Sequence, residues 1–446
     1  MKMYMNIVLF VLFHFEMLYA QQSYLFNKIY QPDTALLGSI AILPFNNHYW
    51  TLGGYINYEN LPDAYAEVGL HKISLSGETL DFKLVDTGFA YRHNFFGASL
   101  QKDHEGNMVM VFTKGATPIS HNFVLVKTDS MGNILFKQEY ERENMQDYPN
   151  LVICAEADFL VIGISQQYPT PTTVGPARIH AIKTDNYGEV IWEYIYPSGN
   201  TWPLYASQTP DGGFIISGYQ YNTATGYDMY ALKIDAQGAV EWEKTYGTPV
   251  DDGGCNVQSY PLGGYFLNGL KWLGTNTVAH YGAWLDDAGN VMYSKTISKN
   301  ERFGIQANPI FFDDGSYKST TLTYGPSPLW EVAFTTFNNL GEIVSEVPIS
   351  SGLPGEDYIR DLEPTPDGGY ILAGFNYIPG FGANAGWVVK LGPNGEYCGA
   401  APCLDSLFVT AITPPRFEGG QGGEPPTHAT VYPNPVPAGS STAQLS

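Results

Sequence analysis

Asp211-Gly212-Gly213 is followed by Phe214-Ile215-Ile216-Ser217-Gly218, then Tyr230-Ala231-Leu232-Lys233-Ile234-Asp235, then Gly238 and Trp242-Glu243-Lys244-Thr245-Tyr246. Short apolar runs bounded by turn residues favour strand over helix. The stretch reads as four antiparallel strands at 204–209, 214–219, 229–234 and 240–246. Glycine supplies the positive φ that the tight turns between them require.

The unit recurs. Its second half carries a marker glycine at Gly77, Gly132, Gly188, Gly238, Gly289, Gly341 and Gly395, with successive differences of 55, 56, 50, 51, 52 and 54 residues. Such a period, with several short strands per unit, predicts an all-β, seven-bladed β-propeller of four-stranded antiparallel blades. Asp367-Gly368-Gly369, Leu262-Gly263-Gly264, Asp314-Gly315, Glu105-Gly106 and Asn46-Asn47 repeat the first turn, and Ala157-Asp158 is its weakest copy. Six units finish with a fourth strand, whereas the seventh stops at Gly395-Glu396-Tyr397-Cys398. Tyr24-Leu25-Phe26-Asn27-Lys28-Ile29-Tyr30 resembles Ile134-Leu135-Phe136-Lys137-Gln138-Glu139-Tyr140. The N-terminal segment is therefore expected to supply the last blade's outer strand and close the ring, covering an otherwise unpaired edge.

Residues 1–20 read as a signal peptide: Lys2, the apolar run 7–13, and Leu18-Tyr19-Ala20 before the cleavage point. That run is too short to span a bilayer, and no later segment is apolar for long enough. The propeller is assigned to 21–404 and a Pro/Gly-rich linker to 405–428, leaving 429–446 as a separate tail. A net charge of −22 repels nucleic-acid phosphates and anionic lipid surfaces, so no nucleic-acid partner is expected. Cys398 and Cys403 are a disulfide candidate in an exported chain, while Cys154 and Cys255 read as buried thiols.

Two resemblances follow from these residues. The Asp-Gly-Gly-aromatic-Ile-Leu-x-Gly unit, with Trp387-Val388-Val389-Lys390-Leu391 and Asn394-Gly395-Glu396, resembles propeller repeats of secreted Bacteroidota proteins. Those repeats are similar to quinoprotein-like and delta-60 repeats. Val431-Tyr432-Pro433-Asn434-Pro435 resembles the opening of the C-terminal sorting domain read by the type IX secretion machinery, of which 429–446 is a truncated start. The resemblance implies that machinery as a partner, and a secreted or cell-surface location.

Catalytic signatures are missing from the sequence. The histidines have no metal-ligand spacing, Asp251-Asp252-Gly253 and Asp313-Asp314-Gly315 do not continue as calcium loops, and there is no nucleophile elbow or nucleotide fingerprint. No cofactor and no metal is expected. Binding is expected on the face shared by inter-blade links and the longer second loops at 57–66, 166–177, 220–227, 271–280 and 376–386. Candidate ligand contacts there are Tyr91, Arg92, His93, Tyr148, Trp202, Asp252, Arg302 and Tyr358. Asp147, Asp252 and Asp357 recur at intervals of 105 residues and read equally well as strand or turn caps, whereas Trp202 stands outside that periodicity. The expectation is an exported, non-catalytic propeller binding a glycan or protein. A glycan-degrading lyase or hydrolase is the alternative, to be recognised by two or more acids, or His with Arg, gathered on one blade's rim within hydrogen-bonding reach.

Overall fold

The computed structural model describes residues 25–30, 35–57, 65–90, 99–117, 120–142, 145–167, 175–247, 251–274, 277–297, 303–305, 307–324, 330–378, 383–397 and 409–410. Every regular element among them is a β-strand. The quoted stretch folds as read: Asn200–Gln208, Phe214–Asn222, Gly226–Ile234 and Val240–Tyr246 form one antiparallel meander. Residues 35–90 and 252–297 form two more such four-stranded sheets. Residues 303–349 form another, whose first strand is broken into Phe303–Ile305 and Ile310–Phe311.

Discrete four-stranded sheets are not found throughout. The meanders 99–140 and 145–196 merge into one eight-stranded sheet through a single parallel pairing of Gln146 with His121. The merger arises because Met145–Ala155 begins beside the start of Ser120–Thr128, close enough for one ladder contact. Hydrogen bonding thus defines six sheets among the described residues.

Two side-chain devices explain why the repeat folds this way. A lysine late in the third strand is buried and pairs with the aspartate of its own first turn: Lys127–Asp103 at 2.8 Å, Lys233–Asp211 at 3.0 Å and Lys390–Asp367 at 3.0 Å. The second device joins neighbouring meanders. A tyrosine ending the outer strand donates its hydroxyl to the marker glycine's carbonyl in the next unit, as in Tyr140 to Gly188, Tyr196 to Gly238 and Tyr246 to Gly289, at 2.8–2.9 Å.

The N-terminal strand Phe26–Tyr30 lies antiparallel to Ala383–Leu391, with Ile29 opposite Trp387 and Phe26 opposite Lys390. It also carries the outer strand's side-chain signature. Asn27 Oδ1 accepts from Trp387 Nε1 at 2.6 Å, the place where Glu193 meets His180 and Glu243 meets Tyr230 at 2.8 and 2.9 Å. Inside the span expected to be linker, Val409–Thr410 adds a short parallel strand on the other side of Phe26–Tyr30.

Where they are described, the second loops expected to be long extend the strand pairing, at 220–227, 271–280 and 376–386. Strand pairing in the meander 200–246 continues through Gln220 with Asp228, Tyr221 with Tyr227 and Asn222 with Gly226. Both faces of such a protruding tip meet solvent, so the apolar alternation that marks a strand is lost there. Cys154 and Cys255 are free thiols, half-buried and buried respectively. Cys398 and Cys403 lie outside the described residues.

Candidate functional site

The first strands of the meanders wall a cavity of about 1010 Å³. Their backbone is irregular in a repeated way. Each of four first strands carries one extra residue relative to its neighbour: Ile40, Asn150, Leu204 and Arg360 are skipped in the pairing. A bulge of this kind bends a strand and redirects a side chain. Asn150, Leu204 and Arg360 all line the cavity.

Opposite the residue just before each bulge stands a glycine of the second strand: Gly53, Gly163, Gly218 and Gly374. The close approach requires it at Gly218, where an added Cβ would fall 1.9 Å from the Trp202 carbonyl oxygen. Gly163 meets Tyr148 O, and Gly374 meets Tyr358 O, in the same manner. Tyr148, Trp202 and Tyr358 therefore occupy one structural position in three meanders. Trp202 is not outside the repeat, contrary to the expectation from spacing: it is the third copy of a position whose residue type varies.

What surrounds those three aromatics differs. Trp202 stacks on Tyr219, with centroids 5.2 Å apart and planes at 20°. Tyr227 meets both edge-on, at 6.1 and 5.4 Å, and Tyr221 meets Tyr227 at 5.1 Å. Tyr221 and Tyr227 are 42% and 39% exposed, so the cluster is a wet aromatic surface rather than a core. Trp202 and Tyr219 line the cavity, as does Tyr148 of the preceding meander, which lies 5.1 Å from the His121 ring. Tyr358 stacks on Phe375 at 5.2 Å, and the Arg360 guanidinium carbon lies 5.3 Å from that same Phe375 ring.

Deeper in the cavity, Asp361 and Glu363 share one strand two residues apart. Asp361 accepts Ile42 N at 2.8 Å and Leu362 N at 3.0 Å, tying the last meander's first strand to that of the first. Burial pushes both carboxyls above the usual range. For Glu363 the charge of Asp361 adds to burial, and Lys102 offsets only part of it.

A second polar constellation lies apart from the cavity, with Asp147 and His180 buried and Arg142 and Glu193 reaching solvent. Arg142 grips Asp147 with two hydrogen bonds at 2.8 and 2.9 Å, and also bonds Ser165. His180 lies between Asp147, 3.7 Å away, and Glu193, 2.8 Å away. Asp147 and His180 are each 1% exposed, and neither lines the cavity. This is His with Arg within reach, set apart from the cavity.

The remaining sequence candidates are distributed as follows. Asp252 is buried, and its carboxylate accepts Trp272 N at 3.4 Å. Its counterpart Asp357 accepts Ser351 N and the Asn376 amide, both at 2.9 Å. Tyr91, Arg92, His93 and Arg302 lie outside the described residues. The structure thus brings Tyr148 and Trp202 together at the cavity and sets Tyr358 beside Arg360. Sequence reasoning missed Tyr219, Tyr227, Arg360, Asp361 and Glu363. A glycine preceding an aromatic late in the second strand, as in Gly218-Tyr219 and Gly374-Phe375, was the available signal.

No family model and no curated protein matches the chain. Solved structures do. The β-propeller domain of the Trilobed protease from Pyrococcus furiosus is 10% identical, with TM-score 0.45, over 80% of this chain and 96% of that one. The α-L-arabinofuranosidase Arb93A of Fusarium graminearum is 11% identical, with TM-score 0.42, over 83% and 98%. The Synechocystis apocarotenoid oxygenase is 12% identical, with TM-score 0.43, over 70% and 71%. At such identities the activities in those names belong to those proteins alone.

Proposed function

We propose that the chain is an exported, non-catalytic binding module. In this reading it is a seven-bladed propeller closed by its N-terminal strand, which holds a glycan at one mouth of its central cavity. The observation that carries the proposal is the half-exposed aromatic surface of Trp202, Tyr219, Tyr221 and Tyr227 at the edge of a cavity large enough for several sugar rings. Aromatic faces bury the apolar side of a pyranose while cavity amides meet its hydroxyls. Closure is supported by the N-terminal strand's place beside Ala383–Leu391 and by the hydrogen bond from Tyr30 to Gly77. Export is supported by the apolar N-terminal run, and a type IX sorting route of Bacteroidota character by the Tyr432-Pro433-Asn434-Pro435 motif. The test is a glycan array probed with the full chain and with Trp202→Ala and Tyr227→Ala. Binding by the parent that both variants lose is expected, and unaltered binding by both would remove the site.

A second reading, a glycan-degrading enzyme, is favoured by one observation: the Asp361 and Glu363 carboxyls inside the same cavity, with Glu363 raised into the range of a general acid. New reducing ends released from any polysaccharide, and abolished by Glu363→Gln, would establish it over the binding reading.

A further inference from the structure

Resting on the cavity-mouth reading, we propose that the cavity selects amine-bearing glycans, the Glu363 carboxylate receiving the ammonium of an amino sugar whose neighbouring rings lie on the aromatic surface. Four observations lead there.

The first is position in the repeat. Asp361 and Glu363 are the first and third residues after the extra residue of their strand. The same two places hold Ala41 and Leu43, Leu151 and Ile153, and Tyr205 and Ser207 in the meanders 35–90, 145–196 and 200–246. Apolar side chains satisfy the architecture there, so the fold does not demand carboxyls. Asp361 has a structural task, accepting the Ile42 and Leu362 amides. Glu363 has none of that kind.

The second is a missing counter-charge. Asp103, Asp147, Asp211 and Asp367 each meet a lysine or arginine at 2.8–3.0 Å. Glu363 lines the cavity half-buried, and among the described residues no cation stands at ion-pair distance from it and no donor bonds to it. Lys102, whose charge reaches Glu363, gives its hydrogen bond to the Pro44 carbonyl at 2.7 Å and sits over the Phe45 ring at 4.2 Å. The Arg360 guanidinium turns to Phe375. Burial, and then the charge of Asp361, hold Glu363 above the usual carboxyl range. A ligand that carries its own cation supplies the partner that would let Glu363 ionise.

The third is what surrounds the acid. Tyr205 and Ser207 line the same cavity, and Ser207 Oγ is buried without a hydrogen-bond partner. Burial, then the charges of Glu363 and Asp361, push the Tyr205 hydroxyl up, so that hydroxyl lies within their field. An ammonium has three N–H donors and no acceptor, and a carboxylate among hydroxyl oxygens answers that pattern.

The fourth is reach and field. The cavity of about 1010 Å³ extends from the Trp202–Tyr219 stack to Glu363, room for several sugar rings. The net charge of −22 draws a cationic ligand at long range.

The experiment is isothermal titration of the full chain at pH 6 with the β-1,4-linked tetrasaccharide of glucosamine and with cellotetraose, which has the same backbone with a hydroxyl in place of each amine. The parent is expected to prefer the amine-bearing ligand by about tenfold or more, the worth of one charge-assisted hydrogen-bonded pair. Glu363→Gln, the same shape without the charge, is expected to bring that ratio to about one, and Glu363→Asp to keep a preference. Titration in buffers of different ionisation enthalpy should show protons released when the parent binds, and fewer released by Glu363→Gln. A glutamate with a merely structural role would not move that count. Circular dichroism and the melting temperature check folding, and the parent's own ratio and proton count decide if Glu363→Gln does not fold. Equal affinity of the parent for both tetrasaccharides would overturn the inference and leave the mouth site standing. A ratio unchanged in Glu363→Gln would also overturn it, as would trilysine bound as tightly as the amine-bearing tetrasaccharide. Binding of neither sugar, together with silence on the glycan array, would remove both readings.

Discussion

The Tyr30 hydroxyl donates to the Gly77 carbonyl at 2.7 Å, spanning 47 residues of sequence and two sheets. It repeats what Tyr140 does to Gly188 and Tyr196 to Gly238, although Tyr30 stands before the first unit rather than at the end of one. The first strand of the chain is therefore built as the outer strand of the last unit. Removing only the hydroxyl, in Tyr30→Phe, is expected to cost about 1 kcal/mol. Deleting residues 21–31 also removes the buried Phe26, Ile29 and Lys28 and is expected to lower the melting temperature far more. Denaturant titration distinguishes the two, and equal effects would contradict the assignment.

Two glycines of one meander separate two reasons for having glycine. Gly218 has an ordinary φ but faces the Trp202 carbonyl, so Gly218→Ala forces backbone apart, at about 1–3 kcal/mol or more. Gly212 has φ +82° and nothing within 4 Å, so Gly212→Ala costs only the left-handed penalty of about 1–2 kcal/mol. Thermal melts should rank Gly218→Ala as the worse change. It should also weaken ligand binding through Trp202, which Gly212→Ala should not.

The grip of Arg142 on Asp147 is an expensive polar contact to break. Arg142→Ala leaves two almost fully buried groups, Asp147 and His180, without the cation between them and solvent. A loss of about 3–5 kcal/mol is expected, as for other buried pairs stripped of one partner. Asp147→Asn in the same background should recover part of it, and additive losses in that double-mutant cycle would refute the coupling.

Acid stability should report the lysine–aspartate device. Burial alone would raise Asp211, but hydrogen bonds from Thr209, Lys233 and the Gly213 amide outweigh it and bring the carboxyl to about 2. A depressed folded-state value means the contribution is present above the unfolded range near 4 and lost as pH falls toward 2. Asp211→Asn should thus be less stable than the parent at pH 6, with the gap narrowing by pH 2. Asp211 is largely exposed, so the gap is modest.

Thiol chemistry offers a simple check on the core. Burial pushes Cys154 and Cys255 up to about 12, so both should resist an aromatic disulfide reagent at pH 8 until denaturant is added. Rapid labelling of the native chain at either position would contradict their placement.

How much of this the sequence disclosed follows from what repetition can carry. Turn glycines, third-strand lysines and the outer-strand tyrosine recur at fixed offsets, so strands and pairing order were legible, including the role of Phe26–Tyr30. The cavity lining was not. One extra residue at Asn150, Leu204 or Arg360 shifts the inside–outside alternation by a single step, which in a short strand looks like noise. Asp361 and Glu363 stand two residues apart on one strand and both line the cavity, but nothing local marked that strand as facing an open interior. Tyr219 and Tyr227 were read as strand and loop residues, and only the hairpin's extra pairing lifts them beside Trp202.

The contact between Asn27 and Trp387 crosses 360 residues, so it cannot form until nearly the whole repeat has been made. A polypeptide that emerges amino-end first must hold its opening strand in reserve while each later meander takes shape. Until that strand docks, Ala383–Leu391 presents a bare β-edge, open to a neighbour's strand as readily as to its own. Misassembly between molecules is therefore a hazard of synthesis rather than of the finished protein, and a chaperone that shields residues 25–30 would act at the step where yield is decided.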